Sequence, residues 1–293
     1  MTFAALLSKE LRSRLRRERF VWVVIAYLLV MALLGFGFLQ RENAFNGGYQ
    51  VYLLSQIGAQ LYALFSFVEL FLIIFIAPAF TSTAINGEKE RQTFDLLLCS
   101  KLSAFSLLAG KLIAGLANVL LLIAASIPLF SLVFFFGGVA PAQVLSTLVV
   151  FVMTALLAGT FSLFCSTVLR RPTISTAVAY AFSVLWMFSY WIVYFLVGNS
   201  LLITSRWFIW VQWLNASNPI TAVNSTVSSG ISSFSLYRLH LAPWVAYTLV
   251  CLVVSIILFL LSTLFVRPNS LDRFLSWLRN LSKKSEPAKV MKG

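Results

Sequence analysis

The sequence predicts an all-α polytopic membrane protein: six transmembrane helices, an interfacial helix before the first, and a short cytoplasmic helix between the second and third. Three observations carry this. The 293 residues are 60% hydrophobic and 11% charged, with a mean hydropathy of +0.92, where a soluble domain carries about a quarter charged residues. Such a chain cannot cover itself with polar surface, so lipid is its solvent. The apolar residues are gathered into six long runs, and the basic residues sit almost wholly on one side of them.

A helix needs about 20 apolar residues to cross about 30 Å of hydrocarbon. Runs of that kind lie at 20–39, 56–80, 106–136, 144–169, 173–197 and 241–266. Between the third and fourth, Gly137, Gly138 and Pro141 mark a tight turn. Between the fourth and fifth, Arg170-Arg171-Pro172 marks another, because proline opens a helix well but does not continue one. The chain divides into an interfacial segment 1–19, a six-span domain 20–266 and a basic cytoplasmic tail 267–293. Within the six-span domain lie a cytoplasmic region 84–105 and an external loop 198–240.

The net charge is +13. In a soluble protein that excess points to nucleic acid; here it reports topology, and no nucleic-acid partner is expected. With the amino terminus inside, 19 of the 22 basic residues fall in internal segments and only Arg41, Arg206 and Arg238 lie outside. Basic residues favour the cytoplasmic side, so both termini are expected there. The basic start and first apolar run resemble a secretory leader. However, the run is longer than a leader's core and no Ala-x-Ala-like site follows at 35–40, so it reads as a retained span. Before it, Phe3, Leu7, Leu11 and Leu15 recur four apart, with Lys9, Arg12, Arg16 and Arg19 off their stripe. That pattern suits a helix lying flat in the membrane interface, or a plain basic anchor.

Residues 86–103 interrupt the oil. Glu88, Lys89, Glu90, Arg91 and Asp95 crowd together between two spans and must lie in water. Thr93 is a candidate helix cap, and Phe94, Leu97 and Leu98 share a face at i, i+3, i+4 spacing. A short amphipathic helix at the membrane surface follows, offering charges that set register and apolar side chains that anchor a soluble partner.

These residues resemble the membrane-spanning permease subunits of type-2 ABC transporters. Glu88-Lys89-Glu90-Arg91 match the charged start of that family's motif and Thr93 its threonine. Leu96-Leu97-Leu98 match its leucines, Ser100 its serine and Gly110-Lys111 its closing pair. Asp95 replaces the usual glutamate, Gln92 stands where glycine is common, and Lys101 where proline is common. Leu7-Ser-Lys-Glu-Leu11 is similar to the family's interfacial elbow helix, and Asn218-Pro219 to a recurrent Asn/Ser-Pro element.

The resemblance implies that residues 84–105 carry a coupling helix, with Glu88, Glu90, Arg91, Thr93, Phe94 and Leu97 at the docking surface. Its partner would be an ATP-binding subunit on a separate chain, present in two copies. It further implies a second permease subunit, a prokaryotic inner-membrane location and export driven by ATP and Mg on the partner, with no cofactor bound by this chain. The chain has no Gly-x-x-x-x-Gly-Lys-Ser/Thr phosphate loop of its own, since Gly110-Lys111 lacks both the upstream glycine and the hydroxyl residue. Neither Gly-x-Ser-x-Gly nor His-Glu-x-x-His occurs. The single histidine, His240, and scattered carboxylates assemble no evident active site or metal site. The three cysteines, far apart, read as apolar fillers. The rival class is a secondary transporter or channel independent of an ATPase, against which no inverted repeat is evident.

Polar residues inside the spans mark candidate pathway positions. Tyr62, Ser66 and Glu69 share one stripe of the second span at about 100° per residue. A carboxylate at that depth must face the bundle interior or water, or be protonated. The stripe serves either a substrate path or interhelix packing. Tyr180, Ser183 and Tyr190 line one side of the fifth span, again as cavity or packing. In the external loop, Trp207, Trp210 and Trp213 suit a short helix dipping into the outer interface.

Overall fold

A computed structural model of the chain describes residues 18–41, 51–90, 104–169, 171–198, 217–227, 234–236 and 239–266. Eight helices are present among them: α1 (Glu18–Arg41), α2 (Val51–Thr81), α3 (Asn86–Glu90), α4 (Ala104–Phe136), α5 (Pro141–Val168), α6 (Pro172–Gly198), α7 (Pro219–Val227) and α8 (Pro243–Val266). A two-stranded antiparallel hairpin, β1 (Phe234–Leu236) and β2 (Leu239–Leu241), pairs Ser235 with His240. Six of the helices (α1, α2, α4, α5, α6 and α8) are long and apolar enough to cross a membrane. They hold 24 to 33 residues, and at about 1.5 Å per residue each exceeds the ~30 Å of hydrocarbon.

The six expected spans correspond to these six helices, with shifted ends. The second begins at Val51 rather than 56, and the sixth at Pro243 rather than 241, because Leu241 belongs to β2. The hairpin is absent from the sequence reading: three-residue strands leave no alternating pattern long enough to detect. Of the interfacial helix expected over residues 1–19, residues 1–17 lie outside the described residues and Glu18 and Arg19 open α1; the tryptophans at 207, 210 and 213 and the tail 267–293 also lie outside them.

Helix α5 is the axis of the bundle and packs against α2, α4, α6, α7 and α8. Its inward positions are small or hydroxylated: Thr154, Ala155, Ala158, Gly159 and Ser162 are all buried. Small side chains let helices approach where lipid provides no hydrophobic drive to bring them together. A Cβ on Gly159 would meet Leu116 Cδ2 at 2.9 Å, and one on Gly115 would meet Thr81 Cγ2 at 2.6 Å. The main core runs from Tyr27 and Met31 of α1 through Leu61, Phe65 and Ile74 of α2 to Val119 and Phe130 of α4, Phe151 of α5 and Tyr247 of α8. Phe130 takes Tyr62 and Phe65 edge-on, with ring centroids 6.0 and 6.1 Å away. Outward positions are apolar too: Trp22, Leu29 and Leu33 on α1 and Leu249, Val253 and Ile257 on α8 are exposed, as lipid-facing surface requires.

The turn from α4 to α5 is the glycine turn read from the sequence. Gly137 and Gly138 have φ of +78° and +83°, a region that L side chains rarely enter. Pro141 opens α5, and the Gln143 Oε1 accepts the Ala140 amide at 2.8 Å, closing the helix start.

Candidate functional site

The charged segment begins where α2 ends. Thr81 Oγ1 donates to the Ala77 carbonyl at 2.9 Å, and residues 82–85 turn the chain into the five residues of α3. A helix start leaves amides without intrahelical partners. Here a neighbouring helix supplies the cap. The Ile85 and Asn86 amides both donate to Ser166 Oγ of α5, at 3.0 and 3.1 Å. Ser175 Oγ, in the first turn of α6, donates to the Ser82 carbonyl at 3.0 Å. Lys89 Nζ donates to the Thr167 carbonyl at 2.9 Å, placing a cation at the C-terminal end of α5, where the helix dipole is negative. Lys111 Nζ of α4 forms an ion pair with Glu88 Oε1, its side chain only 5% exposed.

A separate apolar cluster seats this base. Ala84 and Ile85 pack with Ala104, Leu108 and Leu112 of α4, Leu163 of α5 and Val266 of α8. The start of the charged segment is thereby tied to α4, α5 and α6 by polar contacts and to α8 by packing. The short helix at Asn86–Glu90 precedes the one expected from Thr93 onward.

Of the residues expected to couple to a partner, Glu88 is turned inward onto Lys111 and Glu90 is exposed at the end of α3. Arg91, Thr93, Phe94 and Leu97 lie outside the described residues. Sequence reading missed Ser166 and Thr167 as partners of the base. The signal available was two hydroxyl residues closing an apolar span that needs no polar side chain for itself.

The expected pathway residues fall into two groups. Tyr62, Ser66 and Glu69 are fully buried. Tyr62 Oη donates to the Gln143 carbonyl at 2.9 Å and lies against the Thr147 hydroxyl, which is 2.7 Å from Thr226 Oγ1 of α7. Among the described residues neither Glu69 carboxyl oxygen has a hydrogen-bond partner within bonding distance. Ser126 of α4 is its polar neighbour, but the Ser126 hydroxyl is donated to the Ile123 carbonyl at 2.8 Å. On α6, Ser183 is buried and bonds the Ala179 carbonyl, while Tyr180 is half-buried beside Phe75 of α2. The Tyr190 side chain lies outside the described residues.

At the opposite end, Asn218 fastens α7. Its Oδ1 accepts the Ile220 amide at 2.8 Å and its Nδ2 donates to Ser189 Oγ at 2.7 Å. Trp186 Nε1 donates to the Ser217 carbonyl at 2.8 Å. Pro219 at the first helical position completes a strong start signal. Among the described residues no three His, Cys, Asp or Glu side chains gather as a metal site would need.

Six membrane-length helices and a charged base tied to three of them define a polytopic membrane component. The family profile described as "ABC-2 family transporter protein" matches residues 4–267, so this chain belongs to the ABC-2 transporter family. It is a permease component of an ABC system, the transport part and not the catalytic part. That family implies association with an ABC ATP-binding subunit. No curated protein matches the chain.

Proposed function

We propose that this chain is the permease of an ATP-driven exporter. It works as a dimer, homo- or heteromeric, with two ATP-binding subunits on separate chains. ATP and Mg bind to those partners. The assembly sits in a prokaryotic inner membrane with both termini of this chain in the cytoplasm, as the basic residues favour. The coupling surface runs from Glu90 into Arg91, Thr93, Phe94 and Leu97.

One observation supports this reading above the others. The first residues of the charged segment, 82–90, are bound to α4, α5 and α6 at one end of the bundle. A loop that merely joined two spans needs no such attachment. A loop that receives a push from a soluble engine does, because force enters the bundle only through contacts that hold.

The test is purification of the tagged chain from its native membrane. An ABC ATP-binding subunit is expected to accompany it, and reversal of Glu90 and Arg91 together is expected to weaken that association. A chain that moves its cargo in proteoliposomes with no ATPase, driven by an ion gradient, would establish a secondary carrier instead.

A further inference from the structure

We infer that Glu88 and Lys111, with Lys89 on the Thr167 carbonyl, form an internal clamp that positions the coupling segment and carries its movement into α4 and α5. The inference rests on the coupling reading above and divides the charged segment by role. Its inner half, through Lys89, grips the bundle; its outer half, from Glu90, meets the partner.

The geometry separates the two halves. Lys111 is buried on α4, one turn beyond Leu107 and Leu108, with its ammonium on the Glu88 carboxylate. A cation buried there is held by the acid beside it, since an unpaired buried ammonium is strongly disfavoured. Glu88 belongs to α3 and Lys111 to α4, so the pair closes the intervening 22 residues into a loop with a fixed base. Lys89, the next residue, reaches the other way and donates to the last turn of α5. Two consecutive side chains therefore bind two different transmembrane helices. The Ser166 hydroxyl on the Ile85 and Asn86 amides fixes the backbone just before them. A displacement of the loop must move α4 and α5 together or break these contacts. Glu90, immediately after, is exposed and available to a partner.

Glu88 and Lys111 are thus positioning residues. The experiment uses the full chain in nanodiscs, alone and with its co-purified ATP-binding subunit. The variants are Glu88→Lys, Lys111→Glu and the double exchange, with Glu88→Gln in case either reversal fails to fold. For the chain alone, each reversal is expected to lower the melting temperature and the exchange to recover most of it; additive losses would show that the two residues do not pair. In the complex, the readout is the nucleotide-dependent change in amide hydrogen exchange at the far turn, residues 137–140. Glu88→Lys and Glu88→Gln are expected to retain the ATP-binding subunit yet reduce that change by about tenfold or more, since leaving a buried charge unpaired is worth more than one factor of ten. The double exchange is expected to restore it. Loss of the ATP-binding subunit on Glu88→Gln would make Glu88 a docking residue and overturn the clamp. So would a wild-type complex whose far turn ignores nucleotide. If no ATP-binding subunit accompanies the wild-type chain, the coupling reading and the transmission role fall together, while the melting cycle still judges the ion pair.

Discussion

The Asn86 amide donates to the Ser166 hydroxyl across 3.1 Å, in a site where both residues are fully buried. The same oxygen accepts the Ile85 amide. One hydroxyl on α5 thus satisfies two backbone donors where the turn enters α3. Ser166→Ala leaves both buried without a partner, and each unmet donor costs about 1–3 kcal/mol. We expect a clear fall in melting temperature and faster hydrogen exchange at residues 85 and 86. Ser166→Thr keeps the oxygen and is expected to retain most of the protection. Unchanged exchange at 85–86 in Ser166→Ala would show that the cap contributes nothing.

Asn218 has the corresponding role at the other end. It caps α7 through Oδ1 and ties it to α6 through Nδ2. Asn218→Ala removes both, and a lost helix cap alone costs about 1 kcal/mol. Exchange across residues 219–227 should accelerate while α5 stays protected. Asn218→Asp keeps the cap and loses the donor to Ser189, so it should fall between the two. Equal protection in all three proteins would refute the anchoring role.

The six spans were legible because lipid demands long uninterrupted apolar runs, and nothing soluble imitates them. The α4–α5 turn was legible because Gly137, Gly138 and Pro141 each have a local conformational meaning. Asn218-Pro219 was visible as a motif, but its grip on Ser189 was not, since that contact depends on how two helices pack. The destination of Glu88 was hidden for the same reason. Composition alone cannot say whether a charge in a polar loop turns outward to a partner or inward to Lys111. Ser166 and Thr167 carried the weakest signal, because hydroxyl residues are common in membrane helices, where they bond their own backbone. Thr154 does so, donating to the Val150 carbonyl at 2.7 Å.

Glu69 is fully buried in α2, and among the described residues its carboxyl oxygens have no partner within bonding distance. Burying a carboxylate in hydrocarbon is expensive, and an intramembrane acid is by default a functional candidate. Two substitutions separate function from packing. Glu69→Gln keeps the shape and removes the ionisable carboxyl, and its melting temperature is expected to match or exceed the wild type. ATP-dependent transport by that folded variant, measured in the reconstituted complex, is expected to drop if the carboxyl serves the path. Full transport would exclude an essential charge. Glu69→Leu, which also removes the polar atoms, then tests whether the residue contributes anything to helix packing.

The glycine turn permits a finer comparison between neighbours. Gly137 and Gly138 share a positive φ, so alanine at either meets the same backbone penalty, about 1–2 kcal/mol. Their surroundings differ. A Cβ on Gly137 meets nothing within 4 Å, whereas one on Gly138 would run into the Ser55 carbonyl oxygen of α2. That oxygen is backbone in a transmembrane helix and cannot swing aside as a flexible side chain would. Gly137→Ala should therefore lose only the conformational increment, and Gly137→Asn less still, because asparagine tolerates left-handed backbone. Gly138→Ala should lose substantially more, since α2 and the turn must separate to admit the methyl. Melting temperatures of the three variants in nanodiscs check this. If Gly138→Ala is no worse than Gly137→Ala, the turn does not pack on α2 as closely as the structure places it.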